Sequence, residues 1–229
     1  MRNPLIVCTS LLFSLLLTGC ATPTPMAFQN DADRLTAQSQ PVYLMTVNIK
    51  NSYRVSYQPK LLVVNVEKTD AKEAADRINF TMDDKAKNES DVPSVGSTYM
   101  LRMGLDVGRY EIRGLTSLVR SFPVNGAFFV PLHAPLESTG PGVFYLGHVA
   151  ATVRERQGQE FRAGPPIPLI DQAVTGASGG TFDVVISDEW ARDEAAFLAK
   201  FPALTGVTVQ KALLPAFDRA KAQKLWEAN

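Results

Sequence analysis

Alternation with a period of two runs through this chain from Val42 onward, and it confines most of the sequence to half-buried strands. Tyr43, Met45, Val47 and Ile49 share one face, and Leu44, Thr46, Asn48 and Lys50 share the other. Tyr53, Val55 and Tyr57 alternate with Arg54, Ser56 and Gln58. Residues 61–66 form a nearly continuous apolar run, as a central strand would. Tyr99, Leu101 and Met103 alternate with Met100 and Arg102, and Tyr110 and Ile112 alternate with charged neighbours. Residues 127–130 are apolar, and 143–153 form the longest expected strand. Its expected inner set is Val143, Tyr145, Gly147, Val149, Ala151 and Val153. Phe182, Val184 and Ile186 mark another strand. Turn residues punctuate these runs at 107–108, 125–126, 140–142 and 157–158. Many short strands at this spacing imply a sandwich or barrel.

The period changes between two of the strands and again in the C-terminal part. Asp70 and Glu73 are spaced as a capping box, and Ala71, Ala74, Ala75 and Ile78 follow a helical period. The sequence allows a short helix or a decorated loop there. Residues 82–95 are polar and read as a long exposed loop. Asp188 can cap a helix whose apolar face is Trp190, Phe197, Leu198 and Phe201, with Pro202 stopping it. Residues 205–214 alternate again, and Pro215 can open a last helix carrying Phe217, Ala220 and Leu225. The expected fold is therefore mainly β: an antiparallel β-sandwich of immunoglobulin- or transthyretin-like type, with one or two C-terminal helices.

The N-terminus has a different character. Residues 1–20 read MRNPLIVCTSLLFSLLLTGC. Arg2 is a short positive region, and the apolar run that follows is too short to span a bilayer, which needs about 20 residues. It has the length of a secretory signal. The run ends in Leu17-Thr18-Gly19-Cys20, which resembles the lipobox of bacterial lipoproteins. The resemblance implies cleavage between Gly19 and Cys20, a diacylglyceryl thioether on Cys20, and acylation of the new amino group. It implies no Asp-type inner-membrane retention signal, because Ala21 follows the cysteine. For a Gram-negative source, that implies sorting to the outer membrane. Residues 1–19 are thus expected to be a signal peptide. Residues 20–41, rich in Pro, Thr, Gln, Asp and Ala, are expected to be a lipidated Cys and a flexible tether, and 42–229 a single domain.

Composition narrows the function classes. The chain has 229 residues with 23 Lys+Arg against 23 Asp+Glu. A nucleic-acid binder would usually carry a basic excess, so none is expected here. Of the two cysteines, Cys8 leaves with the signal and Cys20 carries lipid, so the mature chain keeps no free thiol. No cofactor or metal is expected: His133 and His148 lack the spacing of a ligand set, and His148 reads as a half-exposed strand residue.

Three motifs invite a catalytic reading. Gly176-Ala-Ser178-Gly-Gly180 matches G-x-S-x-G, but a strand follows where a nucleophile elbow needs a helix, and both histidines lie upstream. Asp83, Asp84, Glu89 and Asp91 cluster in sequence, as a solvated loop would. Arg154-Glu155-Arg156 is balanced in sign and reads as a solvated strand tip. None makes a coherent catalytic set.

The body has a resemblance of its own. Gly108-Arg-Tyr110-Glu-Ile112, Phe128-Phe-Val130 and Val143-Phe-Tyr145-Leu-Gly147-His-Val149 resemble the pattern of small envelope β-sandwiches of the carboxypeptidase-regulatory or PEGA-like sort. Residues 183–188, with Phe201-Pro202-Ala-Leu204, resemble the tail of uncharacterised bacterial lipoproteins that carry such a sandwich. The resemblance implies a non-enzymatic module, held to the membrane by its lipid, that binds or scaffolds another envelope protein or a cell-wall component. The competing expectations are a hydrolase using Ser178 or the carboxylates of 83–91, and a carbohydrate-binding module with aromatics along one sheet face.

Overall fold

The computed structural model describes residues 22–36, 38–165 and 170–228, so the signal segment and the cleavage and lipidation positions Gly19 and Cys20 lie outside the described residues. Its strands are β1 (Thr22–Pro25), β2 (Val42–Asn51), β3 (Lys60–Lys68), β4 (Arg77–Thr81), β5 (Lys87–Asn88), β6 (Ser97–Gly104), β7 (Gly108–Ser121), β8 (Val124–Ser138), β9 (Val143–Glu155), β10 (Gly180–Ser187) and β11 (Val209–Lys211). The helices are α1 (Ile170–Val174), α2 (Trp190–Lys200) and α3 (Arg219–Glu227). One sheet has the order β1-β4-β3-β7-β8 and the other β10-β9-β2-β6-β5, with β11 also paired to β9. The mainly-β sandwich with C-terminal helices is therefore as expected. Both sheets are mixed, however, because β1 runs parallel to β4, and β2 and β11 run parallel to β9.

The alternating residues fill the space between the sheets. Met45, Val47 and Ile49 of β2, Leu101 and Met103 of β6, Val64 and Val66 of β3, and Ile112 and Leu115 of β7 belong to one buried cluster. Each such side chain stabilises the fold by roughly 1.5–3 kcal/mol relative to exposure. A second cluster lies on the outer face of the β2 sheet. There Leu44, Met100, Val143 and Tyr145 meet Phe197, Phe201 and Leu204 from α2 and the 3₁₀ turn after it. The helical face expected around Trp190 and Phe197 is thus the lid of this sheet, while Leu198 is partly exposed.

Strict alternation fails in β9, and Gly147 is the reason. The β2–β9 register slips between Leu44, which faces Tyr145, and Thr46, which faces His148. Val143 and Tyr145 therefore point outward beneath α2, whereas Val149, Ala151 and Val153 point into the core. Gly147 takes φ +111°, and a Cβ there would lie 3.0 Å from the Ser187 carbonyl oxygen. Both facts call for glycine.

Residues 22–28, within the stretch expected to be a tether, are part of the fold. Residues 22–25 pair in parallel with Ile78 to Thr81, Met26 and Phe28 are buried, and the Ala27 N–H donates to the Arg102 carbonyl at 2.8 Å. Thr-Pro-Thr-Pro can do this because prolines at alternate positions leave one edge of the strand free of N–H donors. Such a strand can sit only at a sheet edge, where it also blunts that edge.

One further segment differs from expectation and another settles between two alternatives, each because a short polar side chain competes for the backbone. Residues 53–57 form a loop: the Asn51 side-chain oxygen accepts from the N–H groups of Tyr53 and Arg54 at 3.1 and 2.9 Å, which turns the chain. The helix allowed at 71–78 is one 3₁₀ turn, Ala74–Asp76, because Asp76 accepts from the N–H groups of Lys72 and Glu73. Ile78 and Phe80 then enter β4. Near the C-terminus only Val209–Lys211 is strand, and the last helix starts at Arg219 behind Asp218, whose side chain accepts from the Lys221 N–H.

The bulge gives a direct test. Gly147→Ala is expected to cost about 1–3 kcal/mol in denaturant unfolding, from forcing a side chain into that conformation. Gly140→Ala, where nothing lies within 4 Å of the added carbon, should leave the midpoint unchanged.

Candidate functional site

The most chemically capable groups of the β2 sheet gather beneath α2. Asp193 lies one turn into α2 and is 5% exposed. Its Oδ2 accepts from the Thr46 hydroxyl and from the Tyr145 hydroxyl at 2.7 Å, and its Oδ1 accepts from Arg192 at 2.9 Å. The Thr46 proton is committed to Asp193. Its oxygen must therefore accept the third contact, 2.8 Å from His148 Nδ1, which makes Nδ1 the protonated nitrogen. Burial, together with the nearby Arg192 charge, pulls the His148 pKa below its ordinary value, and the neutral ring keeps a lone pair on Nε2. Burial and the hydrogen bond to Asp193 push the Tyr145 phenol up.

A groove of about 440 Å³ opens beside this network, lined by Thr46, Asn48, Thr98, His148, Arg192 and Lys200 among others. A groove of this kind can hydrogen-bond a small polar ligand. It is not arranged for nucleophilic attack. A threonine nucleophile must pass its proton to the base, but here the hydroxyl gives its proton to a carboxylate and receives one from the histidine. The arrangement ties the first turn of α2 to β2 and β9.

The same sheet face carries a second buried polar group, Arg102 of β6, at 0% exposure. Its Nε donates to the Ala27 carbonyl at 2.7 Å, Nη1 donates to the Met100 carbonyl at 2.9 Å, and Nη2 pairs with Asp83. The Phe201 ring covers it, its centroid 4.1 Å from the guanidinium carbon. Burial lowers the Arg102 pKa, and the Asp83 charge opposes that shift.

The residues singled out in sequence are dispersed. Ser178 sits in a turn between α1 and β10, after Gly176 at φ +87°. The helix precedes the serine and the strand follows it, the reverse of a nucleophile elbow. Gly180 pairs with Glu155 and Ser187 with His148, so His148 is seven residues from that turn along β10, about 23 Å. His133 belongs to the other sheet, where its Nδ1 lies 2.8 Å from Glu111 Oε1. Among the described residues no three or more His, Cys, Asp or Glu side chains group as metal ligands.

The carboxylates of 83–91 each hold a partner of their own, although Glu89 and Asp91 line one cavity of about 670 Å³. Asp83 caps a 3₁₀ turn and holds Arg102, Asp84 meets Lys87, Glu89 accepts from the Tyr99 hydroxyl at 3.1 Å, and Asp91 meets Lys60 at 2.8 Å. The aromatic row of a carbohydrate module is missing from the exposed large hydrophobics, where Phe122 is the one aromatic among the described residues.

Arg154 and Arg156 are more than a solvated tip. Arg154 forms ion pairs with Glu160 at 2.5 Å and Asp183 at 3.0 Å, and Arg219 of α3 binds the same two carboxylates. Arg156 lies over the Trp226 ring, also in α3. This network fastens the last helix to the ends of β9 and β10.

Sequence reasoning missed Asp193, although a signal was present. It stands three residues after Trp190 and four before Phe197, on the apolar stripe of its helix. A carboxylate on such a stripe needs buried donors. Thr46 and Tyr145 became its partners only through the slip at Gly147, which no alternation rule foresees.

No known protein family matches the chain, and neither a curated protein nor a solved structure shows significant similarity to it.

The α3 fastening makes a pH prediction. Hydrogen bonding from Arg154 holds the Glu160 carboxyl down at about 2, against 4.5 ordinarily. A lowered folded value means that the contribution is complete above 4.5 and is lost as pH falls through about 2. Glu160→Gln should therefore cost about 1 kcal/mol at neutral pH, with the gap to the parent closing as unfolding midpoints are followed toward pH 2.

Proposed function

We propose that this protein is a lipid-anchored bacterial envelope protein whose sandwich is a non-enzymatic binding or scaffolding module. The observation that carries the reading is Leu17-Thr18-Gly19-Cys20 at the end of a signal-length apolar run. A thiol is the strong nucleophile such a position needs for lipid transfer, and the small residues before it admit the peptidase. Two or three acyl chains hold far more firmly than one, since each buried CH₂ contributes about 0.8 kcal/mol. Ala21 favours the outer membrane as the destination. No helix among the described residues is long and apolar enough to cross a membrane.

The non-enzymatic part of the reading draws on the distance of Ser178 from the histidines and on the partners that already engage the carboxylates of 83–91. The bound component would be another envelope protein or a cell-wall component, taken up by a surface patch or a sheet edge. The module needs no cofactor for such a task.

Cys20→Ser tests the anchor. The parent should incorporate labelled palmitate and fractionate with outer membranes, and the variant should do neither. A variant that still takes up palmitate would refute the anchor. Crosslinking in intact cells, followed by identification of the attached protein or glycan, tests the binding role.

A further inference from the structure

We infer that one end of the sandwich lies directly against the lipid surface, with no spacer between anchor and fold. The inference rests on lipidation of Cys20 as proposed above. Its own evidence is the start of β1. Thr22 is already paired with Ile78 in the edge strand of a sheet. Two peptide units separate Cys20 from Thr22, which covers at most about 7 Å. The polar layer of one leaflet is about 6 Å thick. An acylated Cys20 therefore leaves the first residue of β1 at headgroup level.

The register identifies which end this is. Thr22 aligns with Ile78, Ile78 with Val66, and Val66 with Ile112. β1 and β4 begin at this end, β3 finishes there, and the turns 69–76 and 105–107 close it. Its charges are mixed and largely paired: Lys68 with Asp76 at 3.1 Å, Arg77 with Glu67 at 3.5 Å, and Arg109 with Asp70 at 3.9 Å. It lacks the excess of Lys and Arg that draws a polybasic segment to anionic lipid. Covalent reach holds it in place, so the contact should persist on neutral lipid and in high salt.

The far end is presented away from the membrane. It lies about 40 Å along β7, where the turn after Ser121 places Phe122 fully in solvent. The loops of Val55, Val92 and Val95, each at least half exposed, close the same end. A cavity of about 670 Å³ lined by Lys60, Glu89, Leu118 and Arg120 opens beside them.

The mature chain offers a clean labelling test, because lipidated Cys20 leaves it without a free thiol. Lys72→Cys and Phe122→Cys are each labelled with a fluorophore in the full lipidated protein. The proteins are then reconstituted into phosphatidylcholine vesicles carrying a headgroup-attached quencher. The label at 72 should be quenched several-fold more than the label at 122, equally at low and high salt. A flexible Gly-Ser insert between Ala21 and Thr22 should remove most of that difference. Equal quenching of the two positions in protein that carries palmitate would overturn the inference while leaving the anchor intact. Absence of palmitate would overturn the anchor reading and this inference with it.

Discussion

The Arg102 guanidinium, withdrawn entirely from water, holds three separate pieces of chain against one face of the β2 sheet. It binds the Ala27 carbonyl from the N-terminal segment, Asp83 from the turn before β5, and the Met100 carbonyl of its own strand, beneath the ring of Phe201. Burying that charge is costly, and the cost is offset only while every donor finds an acceptor. Removal of Asp83 would leave an uncompensated charge in the interior, and loss of either carbonyl an unpaired donor. The N-terminal segment, the 83–86 turn and the end of α2 are therefore coupled through one side chain. Arg102, with the pairing of β1 to β4, is the reason that residues 22–28 belong to the fold.

The second polar network on the same face works by the same rule. Asp193 accepts from Thr46, Tyr145 and Arg192, and it fixes the helix that covers the sheet. Together, Arg102 and Asp193 make the outer face of the β2 sheet a rigid layer. The same sheet is fastened to α3 differently, through partly exposed pairs of Arg154 and Arg219 with Glu160 and Asp183 near the ends of β9 and β10.

The layer structure was legible in the alternating residues, and so was the helix of Trp190 and Phe197. The rest was hidden by local chemistry. Thr-Pro-Thr-Pro looks like linker composition, yet the same prolines suit an edge strand, and only the pairing with Ile78 to Thr81 tells the two apart. Arg102 alternates outward like any solvent-facing residue; its burial depends on segments far away in sequence. Gly147 breaks the period of β9 by one residue and so moves Tyr145 from the expected core to the outer face. Of the residues considered for chemistry, the strand that follows Ser178 was legible in sequence, whereas the partners of Asp83, Asp84, Glu89 and Asp91 were not. The Thr46–His148–Asp193 cluster was not visible, because its members come from three elements brought together by a bulge.

If Cys20 is lipidated as proposed, a sandwich whose first strand begins two residues later differs in kind from one carried on a loose tether. On that proposal covalent geometry sets its orientation, and its surfaces divide into a membrane-facing end and a presented end. Everything in that account depends on the docking of residues 22–28. Amide hydrogen exchange over that segment tests it most directly. The account predicts protection of Thr24 and Ala27 comparable to the paired amides of β4, with protection at Ala27 lost in Arg102→Met. Exchange of residues 22–28 at the rate of a free peptide, in protein whose β2–β9 core is fully protected, would contradict it.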